Sequence, residues 1–192
     1  MNVKIDIYLI ISLIILFFLK QLDIFLLFYL FVFLHEVAHI IVALILKIKL
    51  IDIIFLPFGV NAKFDFEENH VKEIIIALAG PIFSLVSSIY IPKYRIQNLF
   101  IFISNIIPIY PLDGGRILKN LMTMLFGECK GTNIYNFLLR VLIIVLLIIN
   151  IISIIFLKNF KFIFFSMYII QMAGEEVKKD KLKLEIKKIL GE

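Results

Sequence analysis

Apolar residues fall in six runs along the chain, at about 5 to 19, 24 to 46, 73 to 91, 97 to 112, 134 to 157 and 160 to 173. Only short charged or Gly/Pro-containing breaks separate them. An apolar helix of about 20 residues is long enough to cross a hydrocarbon core of about 30 Å. The pattern therefore predicts an all-α polytopic membrane protein with about six transmembrane helices. The first, fourth and sixth runs are short for that thickness, so tilt or flanking residues must complete them. No small-residue cleavage site follows the first run, which reads as a retained span rather than a removed signal peptide.

Two segments depart from the helical pattern. Residues 50 to 66, LIDIIFLPFGVNAKFDF, contain Pro57 and Gly59 and then alternate Phe64, Asp65, Phe66. That alternation suits two short strands around a turn, a membrane-associated β-hairpin between the second and third spans. Residues 105 to 115, NIIPIYPLDGG, place two prolines and two glycines beside a carboxylate in apolar surroundings. Irregular backbone at membrane depth is tolerated where it is buried in protein or lines a wet cavity.

Composition agrees with a nonaqueous environment. The chain is 62% hydrophobic and only 18% charged, with a mean hydropathy of +1.05, against roughly half apolar for a soluble domain. The net charge of +5 is distributed between and after the apolar runs rather than in one block, which argues against a nucleic-acid partner. Cys129 is the single cysteine and cannot form an internal bridge.

Six spans put both termini on one side of the membrane, and lysine placement selects the side. With cytoplasmic termini, twelve basic residues lie inside, six of them in the tail, against Lys20, Lys93, Arg95, Lys158 and Lys161 outside. Residues 174 to 192 follow the last run, with Val177, Leu182, Ile186, Ile189 and Leu190 near helical spacing among lysines. They read as a basic amphipathic cytoplasmic tail on the anionic leaflet, with docking to a substrate or inhibitor as the alternative.

The most informative motif is HEVAH, His35 to His39, inside the second run. Four-residue spacing puts both imidazoles on one helix face, one turn apart, where they can bind one metal ion. Glu36 is placed to take a proton from a water that the metal activates, the metalloprotease arrangement. The alternative, buried polar residues that merely join helices, must carry the insertion cost of ionisable groups at membrane depth, about 2.5 to 3.5 kcal/mol each. A hydrolytic zinc site needs a third protein ligand and an open position. Cys129 lies in a short loop and His70 in the polar stretch EENH, which leaves Asp113, the one acidic residue between Glu73 and Glu128, as the best candidate.

HEVAH at 35 to 39, AGP at 79 to 81 and NIIPIYPLDGGR at 105 to 116 resemble, in order, the site-2 protease family of intramembrane zinc metalloproteases. The resemblance covers roughly residues 24 to 126. It implies an intramembrane metalloprotease domain over 1 to 173, zinc on His35, His39 and Asp113, and Glu36 as general base. It further implies that Asn105 lies near bound substrate or the oxyanion, and that the hairpin, Gly59 included, holds substrate in extended form. A membrane-associated protein substrate and inhibitory membrane proteins are the implied partners. About 65 residues separate HEVAH from Asn105, so no PDZ domain fits between them. Within the family the wording is most similar to the sporulation branch, which activates a membrane-associated pro-sigma factor. That branch often carries a nucleotide-binding CBS domain after the last span, and only some 19 residues follow here. A catalytically inactive scaffold or a metal carrier is the competing class, although a carrier would need no Glu36.

Overall fold

The computed structural model describes residues 2–56, 59–66, 69–157 and 161–190. In chain order its elements are β1 (Asn2–Ile5), α1 (Ile7–Phe18), α2 (Leu22–Ile45), β2 (Lys49–Leu56), β3 (Gly59–Asp65), α3 (His70–Tyr90), α4 (Arg95–Ile106), α5 (Asp113–Phe126), α6 (Glu128–Leu157) and α7 (Lys161–Leu190). Two units divide the chain, Met1–Asn105 and Ile106–Glu192. The largely helical architecture and the small sheet between the second and third runs are as the sequence predicts. Among the described residues, Leu22–Ile45, His70–Tyr90 and Glu128–Ser153 are long and apolar enough to cross a membrane, and α1 is apolar but shorter. At 1.5 Å per residue, the 12 residues of α1 reach only about 18 Å.

In the first unit the sheet has three strands in the order β1-β2-β3. Strands β2 and β3 form the expected antiparallel pair, from Lys49↔Asp65 to Leu56↔Gly59, with an irregularity between Leu50 and Asp52. The turn itself, Pro57 and Phe58, lies outside the described residues. Burial in β3 alternates, with Val60, Ala62 and Phe64 buried and Lys63 and Asp65 exposed, as a strand with one covered face requires. The covered face joins Ala43, Ile48 and Ile76 in one apolar cluster. Strand β1 was not anticipated from the pattern. It pairs in parallel with β2, Asn2↔Asp52 to Ile5↔Phe55.

Helix ends in this unit follow local chemistry. Asp6 caps α1 by accepting from the Tyr8 N–H at 2.7 Å, and Asn69 caps α3 by accepting from the Lys72 N–H at 3.0 Å. Helix α2 closes with Lys47 at φ 56°. There the Ile48 N–H donates to the Ala43 carbonyl at 2.9 Å and the Lys47 N–H to the Leu44 carbonyl at 3.1 Å, the paired bonds of a Schellman motif.

The fourth apolar run, which passes from the first unit into the second, does not continue as one helix. Helix α4 ends at Ile106, and the chain runs irregularly through Pro108 and a cis Tyr110–Pro111 peptide before α5 begins at Asp113. Gly114 and Gly115 let this loop lie against the first turn of α5. A Cβ on Gly114 would meet the Ile106 carbonyl oxygen at 2.2 Å, and one on Gly115 the Tyr110 nitrogen at 2.4 Å. Ile109, Tyr135, Leu139, Ile169 and Ala173 form the apolar core. The last apolar run and the charged tail are one helix, α7, so the sequence boundary at 173/174 falls within it. Lys119 of α5 bridges two carboxylates of that helix, Glu176 at 2.6 Å and Asp180 at 2.5 Å.

Candidate metal centre

Helix α2 buries Phe31, His35, His39 and Ala43, a row at four-residue spacing that forms one face. Opposite it α3 buries Ile76, Ala77, Gly80, Pro81, Ser84, Ser87 and Ser88, mostly small residues that allow close approach of the two backbones. His35 and His39 are 4% and 1% exposed. Each outer ring nitrogen is engaged by α3. His39 Nδ1–H donates to the Ile76 carbonyl at 2.6 Å, and His35 Nδ1 lies 2.9 Å from the Ser84 hydroxyl oxygen.

A carbonyl can only accept, so the Ile76 contact places the His39 proton on Nδ1 and makes Nε2 the lone-pair nitrogen. The two Nε2 atoms are 3.2 Å apart. Two nitrogens on one tetrahedral zinc, each at 2.0–2.1 Å, would be separated by about 3.3 Å. The imidazole pair therefore fits a shared zinc ion, with its outer nitrogens held as metal-ligating histidines usually are.

Glu36 sits one residue along the helix, and its Oε1 accepts the Ala62 N–H of β3 at 2.7 Å. The carboxylate beside the first histidine is thus tied to a strand of the sheet. In the second unit Asp113 is the first residue of α5 and is 6% exposed. A carboxylate is favoured in a first helical turn by the unpaired N–H groups there. The loop over Gly114 and Gly115 fixes where that turn begins.

Residues 93–149, which include the Asp113 motif, match the model of peptidase family M50. The fold is similar to that of a site-2 protease from Methanocaldococcus jannaschii, with a TM-score of 0.68 and 26% identity, covering 91% of this chain and 90% of that one. Over residues 93–149 the chain is similar to peptidase family M50. A zinc metalloprotease of Methanocaldococcus jannaschii is 29% identical over 169 residues, 79% of this chain. The chain spans about half the length of that curated relative, 48%.

The remaining sequence-predicted residues lie as follows. Asn105 is near the end of α4, half-buried, and its amide donates to the Ile101 carbonyl of its own helix at 3.0 Å. Gly59 opens β3 at φ 153°, a conformation that residues with a side chain rarely adopt. The Tyr29 hydroxyl lies 3.1 Å from the Leu56 carbonyl oxygen and 3.3 Å from that of Gly59, so α2 holds both ends of the hairpin turn. His70 is the first residue of α3, and Cys129 is exposed.

Sequence reasoning did not find Ser84 or the Ile76 carbonyl as the outer partners of the histidines. Ser84 carried a usable signal, a hydroxyl on an apolar helix four residues after Gly80 of the AGP segment and so on its face. A backbone carbonyl has no signature in sequence at all.

Proposed function

We propose that this chain is an intramembrane zinc endopeptidase of the M50 type that hydrolyses a peptide bond of a membrane-associated protein in regulated proteolysis. The observation that carries this reading is the buried pair of Nε2 atoms 3.2 Å apart with both Nδ1 atoms engaged. In this reading His35, His39 and Asp113 are the three zinc ligands and leave one position open. Zinc, when bound, supplies the Lewis acidity that polarises a peptide carbonyl and acidifies water.

The chain's own residues then carry the protons. Glu36 accepts the proton of the attacking water as its oxygen bonds to the carbonyl carbon, and returns a proton to the departing amine nitrogen as the C–N bond breaks. The bond from Ala62 to Glu36 supports a role for β3 beside the base. An extended peptide running along the sheet would offer a scissile bond that a helix conceals. Gly59 would shape the end of that sheet, and Asn105 would contact the substrate or the oxyanion.

The finer reading is a membrane-tethered pro-sigma factor of sporulation as substrate, supported by the wording NIIPIYPLDGGR. Both termini would face the cytoplasm, inhibitory membrane proteins would regulate the enzyme, and the product would be released on the cytoplasmic side.

Co-expression with membrane-tethered precursors tests the proposal. A precursor size shift is expected with the wild-type chain and is expected to vanish in Glu36→Gln, which retains zinc and membrane insertion. Cleavage at an undiminished rate by the Glu36→Gln chain would overturn the assignment of the base.

A further inference from the structure

The AGP segment contains a residue whose only distinguishing property is the absence of a side chain, and it lies against both histidines. Ile76, Gly80 and Ser84 are spaced by four and so share one face of α3. Two of the three contribute the partners of His39 and His35 already described. Gly80 lies between them in sequence. A Cβ built there would lie 2.3 Å from His39 Nε2, 2.5 Å from His35 Nε2 and 2.6 Å from His39 Cε1.

These separations are about 1 Å shorter than ordinary van der Waals contact. The neighbours that would have to give way are imidazole tips rather than backbone, so a methyl group would be accommodated by turning the rings. A metal site tolerates only about 0.2 Å of error in its ligand distances. Turning either ring by enough to clear a methyl group separates the two Nε2 atoms from any common point.

We propose that Gly80 is a positioning residue for the metal: its bare Cα lets α3 close onto the Nε2 ends of His35 and His39 while leaving both free to converge. Helix α3 would then govern metal occupancy from one face, with Ile76 and Ser84 orienting the rings from behind and Gly80 yielding space in front. This inference rests on the zinc reading above.

The sign of the effect makes it testable. Glycine to alanine within a helix ordinarily favours the helix, so a purely local role predicts a Gly80→Ala chain at least as stable as wild type and equally metalled. Full-length wild-type and Gly80→Ala chains would be purified in detergent, stripped with chelator and titrated with zinc. Cobalt(II) absorption would serve as a second reading of ligand geometry. The expected result is a zinc affinity lower by at least about tenfold, the scale on which outer-shell changes act, with loss of the intense tetrahedral cobalt bands.

Equal zinc affinity and equal cobalt spectra in the two chains would overturn the proposal. Absence of zinc binding by the wild-type chain would instead overturn the zinc reading itself. If Gly80→Ala does not fold, the same substitution is placed in a His35→Ala, His39→Ala chain, where the methyl meets no imidazole. Recovery of folding there supports the proposal, and continued misfolding shows that Gly80 serves helix packing alone and overturns it.

Discussion

The two units each bury a polar cluster, and the clusters are built on opposite principles. In the first, His35 and His39 spend their outer nitrogens on Ser84 and the Ile76 carbonyl and turn their inner nitrogens toward each other at 3.2 Å. In the second, Lys119 reaches Glu176 and Asp180 at 2.6 and 2.5 Å, so charge is answered within the cluster. The His39 Nε2 lone pair at that separation takes either a proton from His35 Nε2 or a cation shared with it, whereas an ammonium flanked by carboxylates needs no third party. The first arrangement is organised to hold something, and the second to hold a helix.

The sharpest way to break this contrast is to remove the third ligand that the proposed zinc reading assigns. Asp113→Asn is expected to lower zinc affinity beyond the roughly 100-fold upper end typical of outer-shell changes, while His70→Ala leaves it unchanged. Zinc per chain in purified protein measures both. Metal retained by the Asp113 variant and lost by the His70 variant would reassign the third ligand.

Ser84→Ala sharpens the same side of the contrast. It removes the partner of His35 Nδ1 without touching a ligand, and a loss of about 10- to 100-fold in zinc affinity is expected. Isothermal titration against the stripped protein would show it, and an unaltered affinity would demote Ser84 to helix packing.

On the other side, Lys119→Met leaves two carboxylates facing each other without their cation. The pair is partly exposed, with Lys119 at 21% and Asp180 at 7%, so a loss of about 2 kcal/mol is expected, between the surface and buried limits. Denaturant or thermal unfolding reads the loss, and zinc affinity should stay at the wild-type level. A Lys119→Met chain with normal stability and impaired zinc binding would invert the comparison.

The smallest effect is one of pH. Burial acts to lower the Lys119 pKa, but Glu176 and Asp180 more than offset it and hold the ammonium above the ordinary lysine value of 10.5. A folded pKa raised above the unfolded one contributes stability that is full below the unfolded value and is lost as pH rises through the folded one. The thermal midpoint should therefore decline above about pH 10.5 in the wild type by a component that Lys119→Met lacks. Identical alkaline profiles for the two chains would show that the bridge does not stabilise the fold.

The chemistry was more legible than the scaffold. HEVAH announced itself by spacing alone, because two imidazoles four residues apart on a helix have one geometric consequence. The β2–β3 pair was legible from alternation, and Val60, Ala62 and Phe64 are buried accordingly. Strand β1 was not, because four residues carry little periodicity and their partner lies about fifty positions away. The fourth apolar run concealed the end of α4 at Ile106, since Pro108 and Pro111 interrupt a helix without interrupting hydrophobicity. AGP was visible, but its work is done by atoms that are not there, and only coordinates show what the missing methyl would strike.

The parallel pairing of β1 with β2 has a mechanical consequence. The chain leaves one strand, runs through α1 and α2, and returns to the neighbouring strand, with only Asp6, residues 19–21 and residues 46–48 as links. The HEVAH helix is therefore a segment of a belt whose two ends are buckled side by side. A piston stroke of α2 by one helical turn, about 5.4 Å, matches no whole two-residue strand step of about 6.6–6.8 Å, the slip that keeps each strand's faces in place. The buckle thus damps axial travel of the histidine pair, and leaves rotation of individual rings as the softer degree of freedom.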